Sequence, residues 1–175
     1  VTDVVDAVVA KRFAAMPGLL CTAKREALLP VYDFAAMSGL PPDLGQRRVD
    51  AMTIALGGGV VGEYREDGDS GGVYMDLVFI VTFDESAISD IVSETRERQG
   101  LAADEASVAA AVPAYLGPFV GRRRVATLVD VVREDRGWVM CGDFLSEAIP
   151  EDEPTPGASA STSPAVGSLA PSPIP

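Results

Sequence analysis

The 175-residue chain contains no histidine. This absence removes the side chain that most often acts as a general base near neutral pH, and the commonest ligand of transition metals. The two cysteines cannot form an ordinary structural zinc site without histidine partners. We therefore expect no metal ion and no cofactor, and the sequence favours a protein that is not an enzyme.

Basic residues are scarce. Lysine and arginine number 14 against 26 aspartates and glutamates, which gives a net charge of −12 and a pI near 4.3. Proteins that bind nucleic acids need a basic face to displace counterions, so the sequence excludes nucleic acid as a partner. The run Arg122-Arg123-Arg124 is typical of a solvated strand edge, with a phosphate or carboxylate site as the alternative.

The sequence also lacks an apolar stretch long enough to span a bilayer. Asp3 and Asp6 stand where a signal peptide would carry positive charge, so the N-terminus is not a signal peptide as it stands. The chain opens on Val1, which indicates an alternative start codon or a missing upstream segment. We expect membrane anchoring only through such a segment.

The composition predicts one globular domain followed by a tail. A hydrophobic fraction of 47% is enough to fill a core, and we assign residues 1–149 to a single domain. Residues 150–175 are rich in proline, serine and alanine and contain almost no large apolar side chains. Such a segment buries too little apolar area to offset its ordering entropy, so we expect it to be disordered.

Hydrophobic periodicity predicts helices first and strands later. The first helix is expected to begin near Thr2 and to stop at Pro17-Gly18. The pattern predicts an α+β fold in which N-terminal helices pack on a curved, mostly antiparallel sheet. The further predicted helices cover residues 22–29, 31–37, 84–100 and 104–112, and the predicted strands cover residues 48–56, 60–65, 73–83, 123–133 and 138–145.

Two glycine-containing motifs have structural explanations. Residues 68–72, Gly-Asp-Ser-Gly-Gly, match the nucleophile segment of chymotrypsin-like proteases, in which a histidine activates the serine. Without a histidine Ser70 has no such base, and we expect a hairpin turn. The run Gly57-Gly58-Gly59 lacks the lysine and helix start of a phosphate loop, and predicts a break in the strand through a bulge or loop.

The two cysteines lie near opposite ends of the globular part. Cys21 follows Leu19-Leu20, and Cys141 ends the segment Trp138-Val139-Met140-Cys141. Their spacing is compatible with a disulfide and equally with two unpaired buried thiols. A disulfide would indicate an oxidising compartment, whereas free thiols would fit a cytoplasmic scaffold domain.

The order of elements and these two cysteine segments resemble the nuclear-transport-factor-2-like superfamily, over roughly residues 3–146. The resemblance is closest to small actinobacterial extracytoplasmic domains of the Mce-associated and lipoprotein type. It implies a cone of helices over a bent sheet, and a non-enzymatic domain that binds a small apolar ligand or a protein partner, with a homodimer left open. In that fold Cys21 and Cys141 would lie within bonding reach, with Trp138 and Phe144 packed beside them against Leu19 or Leu20.

Four residues are candidates for catalysis, because some members of the superfamily place Asp and Tyr in an apolar pocket for proton transfer. They are Tyr32, Asp33, Asp76 and Asp130. A carboxylate buried in such a pocket would have a raised pKa and could act as the base of a small isomerase, cyclase or hydratase. The alternative is that Asp76 and Asp130 face solvent on alternating strands.

Overall fold

The computed structural model describes residues 1–117 and 120–150, without the side chains of residues 63 and 64. The expected disordered tail lies outside the described residues, apart from Pro150. The α-helices form the N-terminal part and the connection between two long strands. They are α1 (Thr2–Val9), α2 (Met16–Leu19), α3 (Arg25–Leu28), α4 (Pro42–Ala51), α5 (Glu85–Arg98) and α6 (Glu105–Leu116), with 3-10 turns at Phe13–Ala15, Leu29–Tyr32 and Ala36–Ser38.

The described strands form one strongly curled antiparallel sheet, which confirms the predicted α+β class. They are β1 (Met52–Asp67), β2 (Ser70–Phe83), β3 (Gly121–Glu134), β4 (Gly137–Met140) and β5 (Ile149–Pro150). The spatial order is β1-β2-β3-β4, and β5 pairs with the other end of β3. Pro150, which we had assigned to the tail, therefore belongs to the sheet, opposite Arg123.

The alternation along β2 builds the main core. Its inner face is buried, as the sequence predicts, and contacts the apolar side of α1. Burying one large aliphatic side chain contributes about 1.5–3 kcal/mol, so this face accounts for much of the stability of the domain. The buried side chains that meet here are Val73, Met75, Leu77, Phe79 and Val81 from β2, and Val4, Val5 and Val8 from α1.

A second core joins α4, α5 and α6. Asp84 and Asp104 cap α5 and α6, because their carboxylates accept hydrogen bonds from backbone amides three residues ahead. The predicted α5 is confirmed, but the expected end of α6 at Pro113 is wrong. The helix continues to Leu116, where Arg48 donates to the last carbonyls. The apolar contacts of this core come from Leu44, Ile88, Ile91, Val92 and Val108.

The N-terminal helices are shorter than the sequence predicts. Helix α1 ends at Val9, because Lys11 adopts a positive φ of 54° and its ammonium donates to three backbone carbonyls around the end of α4. Pro17 lies in the first turn of α2, where backbone N–H groups have no acceptor within the helix. Its missing N–H therefore costs no helical hydrogen bond. The stop predicted at Pro17-Gly18 is therefore wrong.

Three further boundaries differ from the predictions. The expected helix over residues 31–37 is divided between two 3-10 turns. The second helix begins at Arg25 rather than at residue 22, and the amide and hydroxyl of Thr22 both donate to Glu134. Residues 48–51 were predicted as strand but form the last turn of α4. This helix begins at Pro42, and proline is favoured in the first turn of a helix.

The run Gly57-Gly58-Gly59 lies within β1. The strand continues through it, contrary to the predicted break, but a register shift between Leu56 and Gly58 confirms the expected bulge. A second shift separates Val61 from Tyr64. Both bulges lie on a strand that pairs on one side only among the described residues, and bulges hinder edge-to-edge pairing with other chains.

Two tight turns connect the strands as predicted. Gly68 and Asp69 link β1 to β2, with Gly68 at a φ of 64°. Gly137 has a φ of 101° where β4 begins. Strand β4 ends at Met140, earlier than predicted, because the chain then turns around Asp143, whose carboxylate accepts the amide of Leu145.

Candidate binding groove and its surroundings

An apolar groove of about 950 Å³ opens between the short helical segments of the N-terminal part. The sequence analysis did not predict it. Its walls come from the 3-10 turns, from α2 and α3, and from one side of α4. The lining side chains are mainly apolar and include Phe13, Met16, Pro17, Leu29, Pro30, Tyr32, Phe34, Met37 and Val49.

Two aromatic rings fix the shape of the groove. Phe13 and Phe34 are stacked, with ring centroids 4.8 Å apart. Offset ring pairs add about 0.5–1.5 kcal/mol beyond their burial, so the contact holds the first 3-10 turn against the segment after Tyr32. Met16 and Tyr32 are fully buried beneath them, whereas Met37 is 48% exposed at the mouth.

The polar residues on the groove are acidic or neutral. Glu26, Asp33 and Gln46 line it, and the lining residues include no lysine or arginine. One oxygen of Asp33 accepts the amide of Ala36 at 3.0 Å and starts the following 3-10 turn. Gln46 donates to Asp50 within α4. Of these three, Glu26 makes no ion pair with any described residue.

Tyr32 is 1% exposed, and its ring packs against Phe144. Burial raises the pKa of its hydroxyl well above the ordinary value, the negative charge of Asp143 raises it further, and the backbone amide of Phe144 opposes the shift. The hydroxyl oxygen is itself buried beside Phe144. Tyr32 therefore keeps its proton at neutral pH.

The structure does not bring the four candidate catalytic residues together. Tyr32 and Asp33 line the groove, but Asp76 and Asp130 lie on the outer face of the sheet. Arg124 donates to both oxygens of Asp76, at 2.8 and 2.7 Å, and this bond lowers the pKa of Asp76. The shift is opposite to the one that a base in an apolar pocket requires.

The other residues singled out in the sequence have structural partners. Arg122 and Arg124 lie on the outer face of β3, while Arg123 faces the inner side and donates to the carbonyl of Val120. The three guanidinium groups therefore do not share one face. Ser70 begins β2, and its hydroxyl donates to the carbonyl of Asp67 across the turn.

A disulfide joins Cys21 to Cys141. Their Cα atoms are 5.1 Å apart, which confirms the predicted proximity, and both residues are buried. The Cys21 amide donates to the Met140 carbonyl, and Leu20 forms a bridge with Met140. The N-terminal segment is thereby fastened to the free edge of β4.

The side chains around the disulfide differ from the prediction. Phe144 is buried and packs on Phe79 in the main core. Trp138 is 39% exposed, and the buried residues packed around the disulfide do not include it. It lies opposite Arg133, close to the hairpin turn, and Val139 contacts the cysteines instead.

Glu134 reinforces this junction. Its carboxylate accepts the amide of Thr22 at 2.6 Å and the hydroxyl of Thr22 at 3.0 Å, and it pairs with Arg136. Arg136 in turn donates to the carbonyls of Pro17 and Leu20. The bonds from Thr22 are the largest favourable cause of the lowered pKa of Glu134, with Arg136 adding to them.

The lowered pKa of Glu134 predicts acid sensitivity at this junction. A carboxylate with a folded-state pKa below its unfolded value contributes stability above the unfolded pKa, and loses it as pH falls through the folded pKa. We expect Glu134→Gln to have a lower Tm than the parent at pH 7, and we expect this Tm difference to shrink below pH 3. Circular dichroism melts at the two pH values would show both. Asp135→Asn, one residue away in the turn, is the control. Equal Tm losses for Glu134→Gln at both pH values would contradict the linkage.

No family model matches the chain, and neither a curated protein nor a solved structure matches it. The resemblance to the nuclear-transport-factor-2-like superfamily therefore stays a prediction. Within residues 1–117 and 120–150, none of the helices combines the length and apolar character needed to cross a membrane.

Proposed function

We propose that this protein is a non-enzymatic, extracytoplasmic binding domain that holds a small apolar ligand in its N-terminal groove. The observation that carries the proposal is the groove itself. Its volume of about 950 Å³ lies within the range of 300–1,000 Å³ typical of small-molecule sites, which are likewise mostly apolar with a few polar groups.

The buried disulfide supports the extracytoplasmic part of the proposal. Disulfides form and persist in oxidising compartments and are rare in the reducing cytosol. Cys21 and Cys141 are both buried in the structure. The cytoplasmic scaffold with reduced cysteines is the competing function, and a thiol titration of the native protein separates the two.

The location of the acidic residues supports binding rather than catalysis. The groove contains the carboxylates of Glu26 and Asp33, but no described histidine, lysine or cysteine lines it as a partner for proton transfer. Tyr32 is buried and holds its proton tightly. General acid–base catalysis needs its acid and base together at the substrate, and Asp76 and Asp130 lie on the outer face of the sheet, away from the groove.

Binding of an uncharged hydrophobic dye tests the proposed function. We expect Nile red to bind the parent protein with an increase in fluorescence. Ala14→Phe should weaken this binding by about tenfold or more, because Ala14 lines the groove and a phenyl ring there would occupy it. Ala15→Phe is the matched control, since Ala15 is also exposed but does not line the groove.

The result has clear alternatives. Absence of dye binding to the parent, or equal loss of binding in the two variants, would contradict the groove as the binding site. Circular dichroism melts of both variants would show that each is folded, so that lost binding reflects the filled groove.

A further inference from the structure

The groove combines an apolar interior with carboxylates that form no ion pair with any described residue. We propose that its ligand is a cationic amphiphile, with an apolar body and an amine or quaternary ammonium group held by Glu26 and Asp33. This inference rests on the proposed function and adds the charge of the ligand. Two of the polar groups lining the groove are acidic, and none is basic.

Both carboxylates are available to a ligand. Glu26 is exposed in α3 and forms no ion pair or hydrogen bond with another described residue. Asp33 is exposed, and only its Oδ1 atom accepts a hydrogen bond, from the amide of Ala36. Its second oxygen remains an acceptor for an ammonium group. A hydrogen bond between an ammonium group and a carboxylate is stronger than one between neutral groups.

Three basic side chains near the groove are bonded to other groups. The ammonium of Lys11 donates to the carbonyls of Val49, Asp50 and Met52. Arg25 donates to Leu20 and Thr22 on the disulfide side, and Arg47 pairs with Glu94 on α5. None of these bonds involves Glu26 or Asp33. The net charge of −12 adds a long-range field that attracts cations.

The apolar part of the groove also suits such a ligand. Phe13 is half-buried on the wall, and aromatic faces attract ammonium groups as well as apolar chains. Pro30 and the exposed Met37 extend the apolar surface toward the mouth. An alkyl chain can therefore lie in the groove while its cationic end meets the carboxylates.

Three detergents with the same dodecyl chain and different head groups test the inference. They are dodecyltrimethylammonium, dodecyl maltoside and dodecyl sulfate, used below their micelle concentrations to displace Nile red. We expect the cationic detergent to bind about tenfold more tightly than the neutral one, and the anionic one most weakly. The preference for the cation should shrink as salt is raised, because salt screens exposed charges.

A double variant tests the two carboxylates. Glu26→Gln with Asp33→Asn should lower the affinity for the cationic detergent about tenfold, close to the affinity for dodecyl maltoside. Asparagine retains the oxygen that accepts the Ala36 amide, so the turn is conserved. The control, Glu85→Gln with Asp90→Asn, removes the same charge from exposed positions on α5.

The outcomes distinguish this inference from the proposed function. Equal binding of the cationic and neutral detergents would overturn the cationic ligand while leaving the apolar groove as a binding site. An equal loss in the two double variants would also overturn it, because only net charge would then matter. Failure of all three detergents and of the dye to bind would overturn both.

Discussion

Replacing both Cys21 and Cys141 by alanine is expected to lower the Tm by roughly 10 °C. The two residues are 120 positions apart. Closing a loop of that length contributes about 5 kcal/mol in the chain-entropy model. For a domain of this size a loss of 1 kcal/mol lowers the Tm by about 2–4 °C.

The contacts around the disulfide explain why the effect should be large. Without the covalent bond, the segment around Cys21 depends on non-covalent contacts. These are the bridge between Leu20 and Met140 of β4, and the hydrogen bonds from Thr22 to Glu134 of β3. The segment leads directly into the turns that form the groove. We therefore expect the variant to lose groove binding together with stability, and a dye titration at fixed temperature would show it.

Reduction of the parent protein provides the control. A reductant should lower the Tm of the parent toward that of the double variant, and should leave the double variant unchanged. Titration of the native protein should find no free thiol. Two free thiols in the native protein, or a Tm that neither reduction nor substitution moves, would contradict the structural disulfide. Either result would favour the cytoplasmic scaffold.

The elements that could be predicted from sequence are those set by local signals. Alternation along β2 gave its buried face, because one side of the strand meets the core at every second residue. Asp84 at the start of α5 and Gly137 before β4 gave reliable boundaries, since capping and positive φ depend on neighbouring residues.

The elements that were missed depend on distant contacts. Lys11 ends α1 by binding carbonyls about forty residues away, and Arg48 holds the end of α6 beyond Pro113. Neither contact leaves a local signal in the sequence. Residues 48–51, the last turn of α4, were predicted as strand because apolar and polar residues alternate loosely from Arg48 to Leu56.

The groove was missed for the same reason. It is formed by five short helical segments and one side of α4, and the Phe13–Phe34 stack and the core below set their relative positions. The sequence did offer one signal, the concentration of proline and aromatic residues between positions 13 and 37.

The ion pair between Asp76 and Arg124 was also out of reach of the sequence. Strand alternation puts each residue on the outer face of its strand, but which residues of β2 and β3 lie beside each other depends on how the two strands pair in the sheet.

Gly59→Ala is expected to destabilise the domain by more than about 3 kcal/mol, through a steric clash added to backbone strain. A Cβ atom at Gly59 would lie 2.2 Å from the carbonyl oxygen of Asp76 and 2.7 Å from the Cα of Leu77. Both are backbone atoms of the central strand β2, so they cannot move aside cheaply. The φ of 125° at Gly59 adds strain for any other residue.

Gly58→Ala is the matched control, because it separates the clash from the strain. Gly58 has a φ of 145°, but a Cβ atom there would meet nothing within 4 Å. We expect a cost of about 1–2 kcal/mol from backbone strain alone. Urea unfolding of the two variants measures the difference. Equal losses of stability would mean that the close approach of β1 to Asp76 is absent in solution. A much larger loss for Gly59→Ala would show that β1 needs a glycine at its bulge in order to pack closely against β2.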